Sequence, residues 1–378
     1  MVNAAAAPGR VRDDLVRLAH RGLAVAEFSR AVGDVLGRAV PAEGTCLMTT
    51  DPATLLPTAE YVENGLPAPE MVRLLEIEAR EPDFNKWVHL ARADRPAASL
   101  SEATAGDLDR SPRQREIRRP GGFADEMRVV LAGGAATWGV LTVFREAGRP
   151  YFAPDEVGLV SSLAGPIADG LRRGLLLESA RAGDAGAGVL VLDADDGVSM
   201  ADEAADRWLD ELGAGVRPGA RLPLVVHAAA RQARALCETA AGERSAPGGL
   251  RAARARVRTG TGRWLIVRAS LMGDGPAAPV AVMLEAARPA EMAPLIVDAY
   301  GFTERERRVT ELVARGLSTR QIAGRLRVSP YTVQDHLKSI FAKSGAASRG
   351  DLVARIFFDH YAGPLGLGDV ARSTAGWP

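Results

Sequence analysis

The chain has 378 residues, with 47 basic and 47 acidic side chains and a formal net charge of zero. Apolar residues make up 47% of the sequence and charged residues 25%, a composition that excludes a wholly disordered chain and predicts about two or three globular domains. The longest uncharged stretch, Val129 to Phe144, is broken by Gly133 and Gly134. It suits a β-hairpin better than a bilayer span, so we expect no membrane association.

Cysteine and lysine usage excludes several kinds of site. The two cysteines, Cys46 and Cys237, form no CxxC motif and no Cys/His cluster, which argues against a metal site and favours a reducing, cytoplasmic setting. The N-terminus lacks the features of a secretion signal. None of the three lysines, Lys86, Lys338 and Lys343, follows a glycine, so the GxxxxGK(S/T) phosphate loop is absent, and no lysine is placed for a phospho-receiver domain. HExxH and GxSxG are also absent, and we predict no metal, no cofactor and no enzymatic function.

The first 180 residues predict an α+β domain. Helical spacing runs from Val11 to about Ala39, and a strand follows at Gly44–Asp51. The polar, arginine-rich stretch Asp94–Gly122 is predicted to be a long loop with one short helix. A β-hairpin is expected at Met127–Arg145, and a long helix begins at Pro154.

A second α+β unit follows a small-residue linker at Ala182–Gly188. Its sequence predicts a strand, two helices, paired strands on either side of Gly260–Gly262, and a last strand. No internal repeat is visible. The predicted divisions are a flexible tail (1–10), a first domain (11–181), a second domain (187–287), a linker (288–300), an all-α domain (301–361) and a flexible C-terminal tail (362–378).

Residues 301–361 form a basic segment inside a neutral chain. They carry eleven basic and six acidic side chains, a net charge of +5, so the remaining residues sum to −5. Such asymmetry suggests a polyanionic partner. The alternative is a helical surface that carries basic residues only for solubility. Capping patterns at Thr303, Ser318, Ser329 and Ser348 predict four helices, and Gly316 can close the first of them.

The order of a helix, a short helix, a turn and a longer helix matches a helix-turn-helix, whose second element lies in the major groove. On the helix that begins at Pro330, Gln334 is suited to adenine and Lys338 to guanine or a phosphate, whereas Asp335 could accept from cytosine or repel the DNA backbone. Thr332 is placed for a phosphate. The alternative is a small helical bundle with a solvated charged face, and capping and charge alone do not separate the two.

The segment from Gly301 to Gly345 closely resembles the DNA-binding domain of LuxR-type transcriptional regulators. The family motifs LTxRE, GLSxxxIAxxL and SxxTVxxHxxxI, a lysine, and an arginine that begins the fourth helix occur at Phe302–Glu306, Gly316–Leu326, Ser329–Ile340, Lys343 and Arg349. Phe302 and Ser344 stand where the family usually has leucine. The resemblance implies an all-α four-helix domain that binds double-stranded DNA as a homodimer, with RNA polymerase as a further candidate partner.

Motifs and resemblance together define the expected site. The residues expected at DNA are Ser318, Thr319, Arg320, Ser329, Tyr331, Thr332, Gln334, Asp335, Lys338 and Lys343. The resemblance places the dimer contact at Val353, Ile356 and Phe357.

The N-terminal part resembles known sensory domains. Thr45–Thr58, the hairpin around Trp138 and the helix from Pro154 resemble a GAF-type domain, and the unit from Gly188 onward resembles a PAS-like domain more weakly. In the GAF family a sheet flanked by helices can hold a small ligand, so a small-molecule effector is an open expectation with no ligand residues assigned. Trp87 and His89 could edge a pocket or pack beneath the polar stretch.

The sequence therefore predicts a multidomain, cytoplasmic transcriptional regulator. Two α+β domains, GAF-like and then PAS-like, would sense a small molecule or a protein and bias a C-terminal DNA-binding domain. Two other classes stay open: a protein-interaction scaffold in which DNA binding is secondary, and an enzyme such as a nucleotide-turnover domain, for which no nucleophile–base arrangement is visible.

Overall fold

The computed structural model describes residues 8–63, 68–134, 136–177, 186–213, 222–241, 253–273, 275 and 277–356. Residues 1–7 of the expected N-terminal tail, 182–185 of the expected first linker, Phe357 and the expected C-terminal tail (362–378) lie outside these ranges. Among the described helices, none combines the length and apolar character needed to cross a bilayer. Within the same ranges, no group of His, Cys, Asp and Glu side chains is arranged to hold a metal ion.

The first domain is an antiparallel five-stranded sheet with helices on both faces. Its elements are α1 (Pro8–Ala19), α2 (Val25–Ala39), β1 (Gly44–Thr50), β2 (Pro57–Glu63), α3 (Ala68–Arg80), α4 (Trp87–Leu90), β3 (Ala97–Ser99), α5 (Leu100–Ala103), β4 (Phe123–Gly133), β5 (Ala136–Glu146) and α6 (Pro154–Leu177). The strand order is β2-β1-β5-β4-β3. The expected strand at 44–51 and the expected hairpin are β1 and the pair β4–β5. The helical stretch expected from Val11 to Ala39 is two helices, separated near Gly22, whose φ is +66°.

Helices α1, α2 and α6 cover one face of this sheet. Leu15, Phe28 and Ile167 pack there with Trp138 of β5 in one apolar core. Gly170 of α6 is required by this packing, because a Cβ atom at that position would lie 1.9 Å from the ring of Phe28. Burial of apolar surface at this face therefore holds the three helices on the sheet.

The arginine-rich stretch 94–122 has more regular structure than the predicted long loop with one short helix. It contains β3, α5, a 3₁₀ turn at Leu108–Arg110 and a π-helix at Gln114–Arg118. Arg113 and Arg118 are buried, and both guanidinium groups bind the buried carboxylate of Glu126, at 2.6 and 2.8 Å. The prediction was wrong because these arginines act as core residues paired with β4 and are not solvent-facing charges.

The second domain is also built on an antiparallel five-stranded sheet. Its elements are β6 (Gly188–Leu192), β7 (Val198–Ala201), α7 (Glu203–Glu211), α8 (Leu224–Ala241), β8 (Arg254–Arg258), β9 (Trp264–Leu271) and β10 (Val280–Ala286). The strand order is β7-β6-β10-β9-β8, so the first strand of each domain lies between its second and its last. The two domains share this topology although the sequence shows no repeat.

Residues 288–300, the predicted linker, contain the helix α9 (Pro289–Ala299). Met292, Leu295 and Ile296 of α9 are buried in the apolar core that also contains α6. The backbone amide of Arg256 and its Nε donate to Asp51 Oδ2 at 2.7 and 2.8 Å, which joins the second domain to the turn after β1. The segment is therefore a packed helix where all three parts of the chain meet.

The last domain consists of α10 (Glu304–Ala314), α11 (Thr319–Leu326), α12 (Pro330–Ser344) and α13 (Arg349–Ala354). Its apolar core gathers side chains from all four helices, including Val309, Ile322, Val333, Ile340 and Leu352. Phe302, which stands where the family usually has leucine, is buried in this core and stacks on Tyr300 at 5.6 Å between ring centroids. The structure therefore has two antiparallel α+β domains followed by a helical one.

Candidate nucleic-acid interface

Local side-chain caps fix the ends of the helices in the C-terminal domain. Thr303 and Glu306 form a reciprocal capping box at α10, and Ser318 and Gln321 form one at α11. Ser329 Oγ accepts from the Thr332 amide at 3.1 Å, which begins α12. Each cap satisfies amide groups that a helix start leaves without partners.

The turn between α11 and α12 determines how the two helices cross. Arg327 closes α11 in the left-handed conformation, with φ of +54°, and the Val328 amide donates to the Ala323 carbonyl at 3.0 Å. Pro330 then occupies the first turn of α12, where its missing N–H costs no hydrogen bond. The arrangement is a helix-turn-helix, as the sequence predicts.

Helix α12 has one buried and one exposed face. Val333, Leu337 and Ile340 point into the core, with 0 to 7% of their surface exposed. The opposite face carries four exposed side chains at helical spacing, those of Tyr331, Gln334, Asp335 and Lys338. Tyr331 is 79% exposed, more than any other large hydrophobic residue that the structure describes. Lys338 lies 3.9 Å from Asp335, beyond a hydrogen bond, and its side chain is 81% exposed.

Lys343, expected at DNA, has a different environment. Its Nζ lies 2.5 Å from Glu306 Oε2 and 3.4 Å from the Gly301 carbonyl. Glu306 is 4% exposed and also accepts from Ser339 Oγ at 2.5 Å. Lys343 therefore joins α12 to α10, and two of the three N–H groups of its ammonium are directed to Glu306 and Gly301.

The pKa of Glu306 shows how this cluster is balanced. Burial alone would raise the pKa of the carboxyl, but hydrogen bonds from Lys343, Ser339 and Thr303 lower it to about 2. Glu306 is therefore ionised at neutral pH. Its two roles, in the capping box and in this cluster, connect the start of α10 to the end of α12.

The other expected site residues lie around α11 and the start of α12. Ser318, Arg320 and Ser329 are exposed, and Thr319 and Thr332 are half-buried. Thr319 Oγ1 accepts from Arg349 of α13 at 2.7 Å, and the hydroxyls of Ser329 and Thr332 lie 2.9 Å apart. These hydroxyls are therefore already engaged within the domain, which limits what they can offer to a partner.

Three exposed arginines near this surface are not among the expected site residues: Arg315, Arg325 and Arg327. Within the described residues their side chains make no hydrogen bond or ion pair, and the same is true of the Arg320 side chain. The basic count of the segment was the sequence signal for them, but only the structure shows which cations are engaged. Arg320, Arg325 and Arg327 give α11 an exposed positive charge, and Arg315 adds one at the end of α10.

The residues expected to form a dimer contact are not equally accessible. Ile356 is 2% exposed and packs in the core of its own domain, and Val353 is half-buried against the same core. Phe357 lies outside the described residues. Ile356 is therefore corrected to a core residue, because its surface is already covered within one chain.

Comparison with known proteins identifies this domain. Residues 301–356 match the model of the family described as "Bacterial regulatory proteins, luxR family". Over 51 residues the chain is 57% identical to two proteins named as HTH-type transcriptional regulators, Mb0914c of Mycobacterium bovis and MT0914 of Mycobacterium tuberculosis. The match covers 14% of this chain and 6% of each relative, so the chain spans only a small part of the length of the curated relatives it matches.

A solved structure is similar over a greater length but only loosely. The crystal structure of Escherichia coli SdiA is 14% identical, with a TM-score of 0.31, over 92% of this chain and 95% of that chain. This superposition is too loose to support a conclusion about the two N-terminal domains. The motifs, the four capped helices and the family match agree for the C-terminal segment, and residues 301–356 are a LuxR-type helix-turn-helix domain.

Proposed function

We propose that this protein is a DNA-binding transcriptional regulator in which α12 reads operator DNA in the major groove. The observation that carries the proposal is the exposed face of α12. Its base-reading side chains, Gln334 and Lys338, project from a helix whose other face is fixed in a core. A helix of this width fits the major groove of B-DNA, where side chains can distinguish all four base pairs.

The contacts divide into base readout and backbone positioning. Gln334 can make paired hydrogen bonds with adenine, and Lys338 can bind guanine. Tyr331 and Asp335 flank them and would tune which bases are accepted. Arg320, together with the exposed Arg325 and Arg327, would bind phosphates and set the register of the domain on the duplex.

The two N-terminal domains would act as sensors, the first GAF-like and the second PAS-like. Their antiparallel sheets flanked by helices support this assignment. The regulator would act as a homodimer in the cytoplasm, with Val353 of α13 near the contact and RNA polymerase as a further partner. It would not be an enzyme, and its small-molecule or protein signal would act by changing how the DNA-binding domains are placed.

Helix α9 is the route by which the sensors would act on the DNA-binding domain. Asp298 of α9 forms an ion pair of 3.0 Å with Arg307 of α10. Arg172 of α6 donates to the Ala299 carbonyl. A shift of α9 relative to α6 would therefore reach α10 through directly bonded groups.

Selection from a random duplex library tests the proposal. Full-length protein should enrich one sequence, and a matched Gln334→Ala variant should relax the preference at single positions of that sequence. Gln321→Ala, at a capping position on α11, serves as the structural comparison. If the wild-type protein enriches no sequence over successive rounds, α12 does not read DNA.

A further inference from the structure

A cavity lies where the two N-terminal domains and α9 meet. Its volume is about 510 Å³, within the roughly 300–1,000 Å³ typical of small-molecule sites, which occur preferentially at domain interfaces. The first domain contributes Tyr61 and Trp138, the second contributes Arg256, Arg258 and Trp264, and α9 contributes Leu295. The cavity therefore touches both proposed sensors and the helix that leads to the DNA-binding domain.

Hydrogen bonds between the domains hold the walls of the cavity in place. Both carboxylate oxygens of Asp51 accept from the guanidinium group of Arg256, each at 2.8 Å. Nη1 of Arg256 also lies 3.3 Å from the Glu291 carbonyl of α9. Nη1 of Arg258 donates to the Leu175 carbonyl of α6 at 2.7 Å. Hydrogen bonds between the first domain, the second domain and α9 therefore fix the position of the cavity walls.

Trp264 provides a polar group that the protein itself does not satisfy. The residue is 7% exposed, and its buried indole Nε1 has no hydrogen-bond partner in the part of the chain that the structure describes. Buried N–H groups are almost always paired, by protein, water or ligand. Nε1 is covered in the structure and Trp264 lines the cavity, so a small turn of the ring toward a bound acceptor would give this indole its partner.

The wall chemistry restricts the class of ligand. Three aromatic side chains, Tyr61, Trp138 and Trp264, favour a flat aromatic molecule. Arg256 and Arg258 are the charged residues among the described lining residues, and no carboxylate is among them, which disfavours a cation. We propose that this interdomain cavity binds a planar aromatic or heteroaromatic molecule, neutral or anionic, with a carbonyl or carboxylate acceptor for Trp264.

This inference rests on the proposed function only in treating the ligand as a signal. A molecule in the cavity would contact Leu295 and lie beside the bond from Arg256 to α9. Its presence would therefore favour one position of α9. The two N-terminal domains would sense jointly, because neither encloses the site alone.

Direct binding of defined probes to the full-length protein tests the site. The probes are 2-naphthoate, which has a flat ring and an acceptor, indole, which lacks the acceptor, and 1-naphthylmethylammonium, which is a cation. Ligand-observed NMR and titration of tryptophan fluorescence give the dissociation constants. We expect 2-naphthoate to bind at least about tenfold more tightly than the cation.

Two variants locate the binding. Ala59→Phe fills the cavity from β2 and should weaken 2-naphthoate about tenfold or more, whereas Ala281→Phe, at a half-buried alanine of β10 outside the lining, should leave it within about twofold. Trp264→Phe keeps a ring but removes the N–H, so it should weaken 2-naphthoate about fivefold and leave indole unchanged. Circular dichroism confirms that each variant is folded.

Two results would overturn the inference: no binding of any aromatic probe at millimolar concentration, or binding of 2-naphthoate that Ala59→Phe and Trp264→Phe both leave unchanged. The DNA affinity of the same samples, measured separately, keeps the two proposals apart. If the wild-type protein binds 2-naphthoate but shows no specific DNA binding, the proposed function is contradicted and the proposed ligand site is not.

Discussion

At the scale of single residues, the Glu306 carboxylate joins the first and third helices of the C-terminal domain. It closes the capping box with Thr303 and binds Ser339 and Lys343, which lie 33 and 37 positions later in the chain. Glu306 is therefore a structural residue that supports α12 from the core side. Its role is to hold α12 at a fixed angle to α10.

Replacing this carboxylate should loosen the domain. Glu306→Gln removes a buried charge-assisted cluster, so we expect the opening free energy of α10 and α12 to fall by about 2 kcal/mol at neutral pH. Hydrogen exchange of their amides measures the loss. Glu311→Gln, at an exposed ion pair on the same helix, should cost less than about 0.5 kcal/mol. Equal exchange rates in the two variants would contradict this role.

The same residue predicts a pH dependence. The folded pKa of Glu306, about 2, lies below the roughly 4.3 of an unfolded chain, so its stabilising effect is full above about pH 5 and is lost as the pH falls toward 2. Thermal unfolding from pH 7 to pH 3 should show the advantage of the wild type over Glu306→Gln shrinking with acid. A constant difference across this range would show that the carboxylate does not titrate as proposed.

A second residue-scale feature is the buried charge cluster of the first domain. Glu126 pairs with Arg113 and Arg118, 13 and 8 positions away, and Arg128 pairs with Glu78, 50 positions away. Burial opposes ionisation of Glu126, but the guanidinium groups of Arg113, Arg128 and Arg118 hold its pKa below the usual range. The residue types gave no sign of this, because buried and solvated arginines look alike in a sequence.

Neutralising Glu126 should destabilise the first domain strongly. Glu126→Gln leaves buried guanidinium groups with less compensation, and we expect a loss of about 3–5 kcal/mol, seen as early unfolding of this domain in thermal melts. Glu146→Gln, at the exposed end of the neighbouring strand, is the matched control and should change little. A melt of Glu126→Gln that overlays the control would show that the cluster adds no stability.

At the scale of elements, local signals predicted where helices start. The elements that were missed depend on contacts with residues distant in the chain. The caps at Thr303, Ser318 and Ser329 were predictable because their partners lie three positions ahead in the chain. Within 94–122 one short helix was predicted, and the strand β3 and the π-helix were missed because their arginines are typical of a polar loop. Helix α9 was missed because two prolines and a short apolar pattern resemble a linker, and its stability comes from packing against α6.

The joint between the two N-terminal domains is the element-scale feature that can be tested directly. Arg256→Lys keeps the charge but loses the forked contact with Asp51, so we expect about 1–2 kcal/mol of lost protection at residues 51–57 and 254–258. Hydrogen exchange measures both segments. Arg207→Lys, at an exposed ion pair with Glu203 on α7, should leave them unchanged. Equal protection in both variants would mean that the contact between Arg256 and Asp51 adds no stability to the joint between the domains.

At the scale of the whole molecule, charge separates the DNA-binding domain from the other two. The asymmetry between residues 301–361 and the rest of the chain was visible in the sequence. The shared strand order of the two sheets was not, because it depends on pairing between distant strands such as β1 and β5. The interdomain cavity was equally invisible, since its walls come from three separate parts of the chain.

Charge separation predicts a strong salt dependence of DNA binding. Each phosphate neutralised by a cation contributes about −0.9 to the slope of log affinity against log salt. Arg320→Gln should make the slope less steep by about one unit, whereas Arg21→Gln, exposed on the first domain, should leave it unchanged. Fluorescence anisotropy at several salt concentrations gives the slopes. Identical slopes for both variants would show that Arg320 does not neutralise a DNA phosphate.

The most direct test of the account compares the DNA affinities of two variants, one at a lysine and one at an arginine, on the duplex enriched by the selection. Lys338→Ala removes a side chain on the exposed face of α12, and Arg305→Ala removes an exposed cation at the start of α10. We predict that Lys338→Ala weakens binding to the selected duplex by about tenfold or more, with a smaller loss on a scrambled duplex, and that Arg305→Ala weakens both only slightly. Equal losses for the two variants on both duplexes would contradict the central claim that α12 reads the DNA sequence.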